Sequence, residues 1–196
     1  SADSGAWSNS VMTAQGGGLY AGTIPGLPAG TVVQFYVRAL DGLGAASTFP
    51  FAAANSGALY KVNDGTANLA LTHNVRIILT PAMTALLHAS TNVMSNDLLP
   101  CTVIYDESRA YYDMSVHLKS SERGRDDPAR VGFHLEFQPD DLFRGVHPVM
   151  LIDRSNSGRP TGEEILLRHM ALRAGVPMTH ADICRVLAPQ NAQTGQ

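Results

Sequence analysis

The sequence predicts an α+β protein in which a partial β-sandwich is followed by a mainly antiparallel β lobe with one or two helices. Three observations predict this fold class. Short segments that alternate apolar and polar residues, as half-buried strands do, recur along the chain. Two later segments carry helix start and stop signals. The Gly-x-Gly-x-x-Gly and Gly-Lys-Ser/Thr fingerprints of parallel nucleotide-binding sheets do not occur.

Residues 1–52 are expected to form the C-terminal part of a β-sandwich module. The alternation from Val33 to Ala39 predicts a strand, flanked by turn sequences at 26–30 and 41–44. The segment from Trp7 to Thr23 adds two short strands around three consecutive glycines. A whole sandwich needs about seven strands and about 100 residues, so this part supplies only half of one. Residues 53–72, rich in small and turn-forming residues, are predicted to be a linker.

Residues 73–196 are predicted to form the β lobe. Thr80 followed by Pro81 begins a short helix through His88, and a capping box from Thr161 to Glu164 begins a second helix over 163–174 that Gly175 ends. Strands are predicted at 74–79, 102–105, 109–119, 131–137, 147–153 and 181–187. Antiparallel pairing of 109–119 with 131–137 gives a long hairpin.

The strand 109–119 is the longest alternation in the chain. It is expected to place five residues on a buried face, namely Ala110, Tyr112, Met114, Val116 and Leu118. The opposite face then carries Arg109, Tyr111, Asp113, Ser115, His117 and Lys119.

Composition limits the classes of partner. The chain has 14 basic and 17 acidic residues in 196, a net charge of −3, which provides no overall field for nucleic acid or an anionic membrane. No run approaches the roughly 18 apolar residues of a membrane span. The histidines lack metalloprotease spacing, and two cysteines are too few for a Cys-rich zinc site, so no metal ligands are predicted. The sequence leaves open whether Cys101 and Cys184 pair.

A local anion site is predicted where the long strand ends. Lys119, Ser121, Arg123 and Arg125 lie at or just beyond that end, and cations, hydroxyls and loop amides are the donors that a phosphate needs. A carboxylate in the first turn of the second helix would orient the lysine as in kinase-like lobes; Glu163 and Glu164 are the candidates, of which Glu164 is assigned to the site. The alternative is that these residues are solvated loop charges opposed by neighbouring acids, and that Glu164 only completes its capping box.

Five segments, in order, resemble the first half of the CotH kinase family, bacterial exported proteins similar to spore-coat atypical kinases. They are YYDMSVHLKSSERGR, RVGFHLEF, LFRGVH, EILLRHMALRAGVP and ICRVLAP, within about residues 73–190. The resemblance implies that residues 73–196 are the N-terminal part of a CotH-like kinase domain that binds ATP and Mg²⁺. Lys119 corresponds to the motif lysine, and Arg123 and Arg125 to the basic residues after it. His117 and Ser120 depart from the family's arginine and glycine.

The segment Tyr36-Val-Arg-Ala-Leu-Asp41, which precedes a glycine turn, resembles the penultimate strand of immunoglobulin-like and fibronectin type III modules. Such modules accompany kinase-like domains in exported proteins of this type. Together the two resemblances imply a fragment of an exported protein, at the cell surface or extracellular, whose first partner is the rest of the parent polypeptide.

The resemblance implies the nucleotide- and phosphate-binding half of an atypical kinase-like phosphotransferase. The family's metal-binding and catalytic aspartates would follow the Gly-Val-Pro segment, so no catalytic residue is assigned and the chain is expected to be inactive alone. The alternative is a structural or adhesive module that contacts neighbouring copies or envelope proteins through its sheet edges. A hydrolase is disfavoured because no Gly-x-Ser-x-Gly elbow occurs, and Asp153-Arg154-Ser155 is interpreted as an ordinary polar loop.

Overall fold

The structure is a computed structural model that describes residues 1–3, 5–67, 73–119, 125, 131–153 and 162–189. Within these ranges it contains mostly strands and two α-helices, which confirms the α+β class. The helices are α1 (Pro81–Leu87) and α2 (Gly162–Arg173). The strands are β1 (Thr13–Gly16), β2 (Leu19–Ala21), β3 (Val32–Gln34), β4 (Val37–Leu40), β5 (Ala46–Phe49), β6 (Leu59–Lys61), β7 (His73–Ile78), β8 (Leu99–Tyr105), β9 (Arg109–Lys119), β10 (Gly132–Glu136), β11 (Val149–Ile152) and β12 (Cys184–Leu187).

A six-stranded sheet with the order β11-β10-β9-β8-β7-β12 organises the second part of the chain. All neighbours are antiparallel except β12, which runs parallel to β7. One face of the sheet carries the hydrophobic core, against which α1 packs through Leu87. The start of α1 follows the prediction, because the Thr80 side chain accepts a hydrogen bond from the Met83 amide at 3.2 Å and Pro81 occupies the first turn. Neither described helix is long and apolar enough to cross a membrane.

Strand β9 has the predicted bounds, but its alternation changes phase in the middle. Cys101 of β8 faces Met114, whereas Val103 faces Tyr111, so β9 contains one extra residue between these pairs. Asp113 lies in this β-bulge with a φ of 55°. As a result Tyr111 is buried in the core and Tyr112 lies on the other face. The predictions that Ala110 and Tyr112 share the buried face with Met114, and that Arg109 and Tyr111 share the face of Lys119, are therefore wrong.

The first part of the chain forms three two-stranded sheets rather than one continuous strand at 33–39. β3 pairs with β6, β4 pairs with β5, and β1 pairs with β2. The predicted strand is interrupted at Phe35 and Tyr36, which lie between β3 and β4 and belong to neither strand. The Phe35 ring contacts the Tyr112 ring edge-on at 5.3 Å, so the break directs an aromatic side chain toward β9.

The segment predicted as a linker contributes packed structure. It contains β6, and Ser56, Gly57, Ala58 and Leu59 are buried. The Leu59 amide donates to Thr102 Oγ1 and the Gly57 amide to Asp113 Oδ1, each at 2.8 Å. These contacts cover the face of β8 and β9 opposite the core, since Thr102 alternates with the core residues Cys101 and Val103. The first part of the chain is thereby joined to the main sheet.

Candidate functional site

The candidate site lies on the part of this second sheet face that residues 56–61 leave open. The hairpin register pairs His117 with His134 and Lys119 with Gly132. These residues alternate with Val116 and Leu118, which are buried in the core. Polar side chains at the end of β9 therefore lie on the face opposite the core, as predicted.

Lys119 is held by a carboxylate from the residue that directly follows β11. Its ammonium forms an ion pair with Asp153, with side-chain exposures of 30% and 57%. Phe133 pairs with Ile152, so the same register places Asp153 opposite Gly132, on the far side of β10 from Lys119. Because Gly132 has no side chain, the lysine crosses β10 without obstruction. A pair this exposed stabilises the fold by only about 0.2–1 kcal/mol, so both groups remain available to a ligand.

Two histidines extend the site along the hairpin. The rings of His117 and His134 stack with centroids 4.5 Å apart and an interplanar angle of 19°. His134 Nε2 lies 3.1 Å from Glu136 Oε1, and His117 Nδ1 lies 2.9 Å from the Leu118 carbonyl oxygen. His117 occupies the position where the resembled family has arginine, and here its ring packs on a cross-strand neighbour.

Arg125 takes a different place from the one predicted for a phosphate ligand. It is 8% exposed and donates to the carbonyl oxygens of Val93 at 3.4 Å and Ser95 at 2.9 Å. It also donates to Asn96 Oδ1 at 2.8 Å. These contacts tie Arg125 to the loop that follows α1, which is a structural role.

Glu164 also has a different partner. Its Oε1 accepts from Arg168 Nη2 at 2.7 Å and from Nε at 3.0 Å, an i,i+4 pair on the surface of α2. Lys119 pairs with Asp153 and not with Glu164. Ser121, Arg123 and the predicted cap Thr161 lie outside the described residues.

The arrangement can bind an anion by charge and hydrogen bonding. An ammonium carries three N–H donors, and Asp153 accepts from one of those of Lys119. The remaining donors fit phosphate oxygens of a nucleotide. For Mg²⁺ the fit is partial, because the described residues include no group of three or more His, Cys, Asp or Glu side chains placed to hold a metal ion. Mg²⁺ commonly binds through one or two carboxylates together with phosphates and water, and Asp153 is a carboxylate of that kind.

Sequence reasoning missed the role of Asp153, which it interpreted as part of an ordinary loop. The signal that could have found it is the pair of hairpin registers, which together align Lys119, Gly132 and Asp153. Two grooves formed by described residues lie elsewhere, one between β9 and the loop 139–145 and the other beside residues 54–59.

Comparisons with protein-family models, with curated proteins and with solved structures give no match to this chain. Functional inference therefore rests on the residues themselves and on their placement.

Proposed function

We propose that this chain is the nucleotide- and phosphate-binding half of an atypical, CotH-like kinase from an exported bacterial protein, and that it is inactive alone. The observation that carries the proposal is the position of Lys119. Its ammonium lies on the sheet face opposite the core, beside Asp153, and Ser121 and Arg123 follow it closely in the sequence. The ordered resemblance to the family supports the same assignment.

In this proposal Lys119 neutralises phosphate oxygens, and the hydroxyl of Ser121 and the guanidinium of Arg123 add donors. Asp153 takes the orienting role that the sequence assigned to Glu164, because it is the carboxylate that holds the lysine. Mg²⁺, when bound with ATP, would neutralise charge on the phosphates, with Asp153 contributing one ligand. The other metal ligands and the acceptor site would come from the rest of the parent polypeptide.

The test is calorimetric titration of the full 196-residue chain with ATP, with and without Mg²⁺. Lys119→Ala is expected to weaken ATP binding by about tenfold or more, the range for a lost charge-assisted hydrogen bond to phosphate. Arg38→Ala is the matched control, since it removes an exposed cation from β4 and leaves the site intact. Equal ATP affinity in the wild type and Lys119→Ala would refute the site.

The wider assignment is tested separately in a longer polypeptide that continues beyond the Gly-Val-Pro segment. It is expected to transfer the γ-phosphate of ATP to a protein or small acceptor when Mg²⁺ is present, and to lose this activity on Lys119→Ala. Binding of ATP without any transfer would retain the phosphate site but refute the kinase.

A second candidate function, a structural or adhesive module at the cell surface, is favoured by the apolar side chains in the first part of the chain. Val11, Leu43 and Phe51 are each at least 90% exposed. Such side chains together with strand edges invite association with neighbouring copies or envelope proteins. Sedimentation analysis should then show self-association of the full chain that Phe51→Ser reduces. If the chain stays monomeric at every concentration and still binds ATP, the adhesive function is refuted and the kinase-like proposal remains.

A further inference from the structure

A groove lies at the end of β9 opposite Lys119. It is a shallow, open depression of about 440 Å³ on the surface. It is lined by Arg109, Tyr111, Pro139, Asp140, Asp141, Leu142, Arg144 and Gly145. Arg109 and Lys119 are the two ends of an eleven-residue strand, so this groove lies about 30 Å from the phosphate site.

Arg144 lines the groove, and its guanidinium is held by aromatic contacts. Its Nη2 donates to Tyr105 Oη at 2.7 Å, and its guanidinium carbon lies 5.4 Å from the Tyr105 ring centroid and 5.3 Å from that of Phe143. Its backbone amide donates to Tyr111 Oη at 3.3 Å. The guanidinium is therefore oriented before any ligand arrives.

The backbone at Arg144 lies in the left-handed region, which is costly for a residue with a side chain. Arg144 and Gly145 have φ values of 51° and 76°, as at the centre of a type I′ turn, where Asn and Gly are preferred. The turn closes with the Val146 amide donating to the Phe143 carbonyl at 3.2 Å. A long cationic side chain held in a costly conformation is a feature of functional sites.

The charged side chains that line the groove indicate which class of ligand would fit it. Arg109 and Asp141 form an ion pair and neutralise each other. Among the described residues no carboxylate pairs with Arg144 and no cation pairs with Asp140, and both are exposed. The groove therefore offers one unpaired cation and one unpaired anion. A dianionic phosphate would be repelled by Asp140, whereas a molecule with one carboxylate and one ammonium group complements both unpaired charges.

We infer that this groove binds a small zwitterion, an amino acid or a short peptide, with its carboxylate on Arg144 and its ammonium group on Asp140. The bidentate fork of arginine matches a carboxylate, and the aromatic rings and Pro139 provide apolar contact beside it.

The test is an NMR titration of the ¹⁵N-labelled full chain with L-alanyl-L-alanine. The amides of Arg144 and Gly145 are expected to shift saturably. N-acetyl-L-alanine, which lacks the ammonium group, and L-alaninamide, which lacks the carboxylate, should each bind about tenfold more weakly or worse. Absence of any shift at Arg144, or equal binding of all three probes, would overturn the inference. Tighter binding of inorganic phosphate at Arg144 would also overturn it, in favour of a plain anion site.

Matched variants separate the two charges. Arg144→Gln is expected to weaken the dipeptide by about tenfold or more, Arg144→Lys to weaken it less, and Asp140→Asn to abolish its advantage over N-acetyl-L-alanine. Arg38→Gln, an exposed arginine on β4, should have no effect. Circular dichroism confirms that each variant folds. Unchanged affinity in folded Arg144→Gln and Arg144→Lys would exclude Arg144 as the carboxylate ligand.

Discussion

Replacing Gly57 by alanine is expected to disrupt the contact that joins the two parts of the chain. A Cβ at position 57 would lie 2.6 Å from the Cys101 nitrogen, 2.8 Å from the Cys101 oxygen and 3.0 Å from the Pro100 carbonyl carbon. All three are main-chain atoms of β8, so no side chain can rotate away. Because β8 is fixed between β7 and β9, residues 56–59 have to move instead.

Three contributions determine how far the free energy of unfolding falls. Overpacking of this kind costs about 1–3 kcal/mol. The hydrogen bond from the Gly57 amide to the Asp113 carboxylate is also weakened, and a bond to a charged acceptor contributes about 1.5–3 kcal/mol. The lower entropy of the unfolded alanine chain offsets about 0.4–1 kcal/mol. The free energy of unfolding should therefore fall by about 3 kcal/mol.

Urea unfolding of the full chain, followed by circular dichroism, measures this change. Gly26→Ala is the matched control, since a Cβ there meets no atom within 4 Å and the backbone is ordinary. In a chain of this size about 3 kcal/mol corresponds to a fall of about 6–12 °C in melting temperature. If Gly57→Ala and Gly26→Ala differ by less than about 0.5 kcal/mol, the docking of residues 56–59 on β8 is refuted.

Two further predictions concern titration. Burial alone would raise the pKa of Asp64, but hydrogen bonds from Lys61, Thr66 and Arg76 outweigh it and hold the pKa well below its usual range. Since the folded pKa is the lower one, this carboxylate stabilises the fold above about pH 4 and ceases to do so as the pH falls further. The difference in the free energy of unfolding between wild type and Asp64→Asn, measured in urea, should thus be larger at pH 7 than at pH 3. An equal difference at both pH values would contradict the assignment. Burial raises the pKa of the Cys101 thiol, and it raises the pKa of Cys184 to about 11. Both thiols should therefore resist an aromatic disulfide reagent at pH 8 in the folded chain and react rapidly in urea, and fast native reaction of Cys101 would refute its burial.

The elements that local sequence determines were predictable. β9 has its predicted bounds because eleven residues alternate without interruption, and α1 begins where Thr80 and Pro81 place it. β12, by contrast, is shorter than predicted and runs parallel to β7, a pairing between residues that are distant in the chain. The two cysteines lie on β8 and β12, with β7 between them and at its opposite ends, since Cys184 pairs with His73 and Thr102 with Ile78; they are about 20 Å apart. That separation is too large for a disulfide, and both are free thiols.

The errors occur where distant residues determine the conformation. The sequence around Asp113 does not predict a bulge. The bulge is determined by the register of β9 with β8 and by the hydrogen bond from the Gly57 amide to Asp113. The strand at 33–39 divides because its halves find different partners, β6 and β5. Both pairings depend on segments that are too short to show a period of their own.

At the candidate site, too, local sequence determines some positions and distant residues determine others. The position of Lys119 at a strand end was predictable from alternation, whereas its partner depends on two successive hairpin registers and on the absence of a side chain at Gly132. The burial of Arg125 depends on the loop at 93–96, which sequence alone does not bring near it.

The bulge at Asp113 also determines how the two candidate sites relate to each other. Without it, Arg109 and Lys119 would lie on one face of β9, since ten residues separate them and alternation has period two. With it, Tyr111 enters the core and Arg109 follows it to that face, while Lys119 remains on the opposite face with His117. The groove and the phosphate site therefore differ in both face and end of the strand. One ligand cannot contact both, and loss of binding at one site leaves the assignment of the other intact.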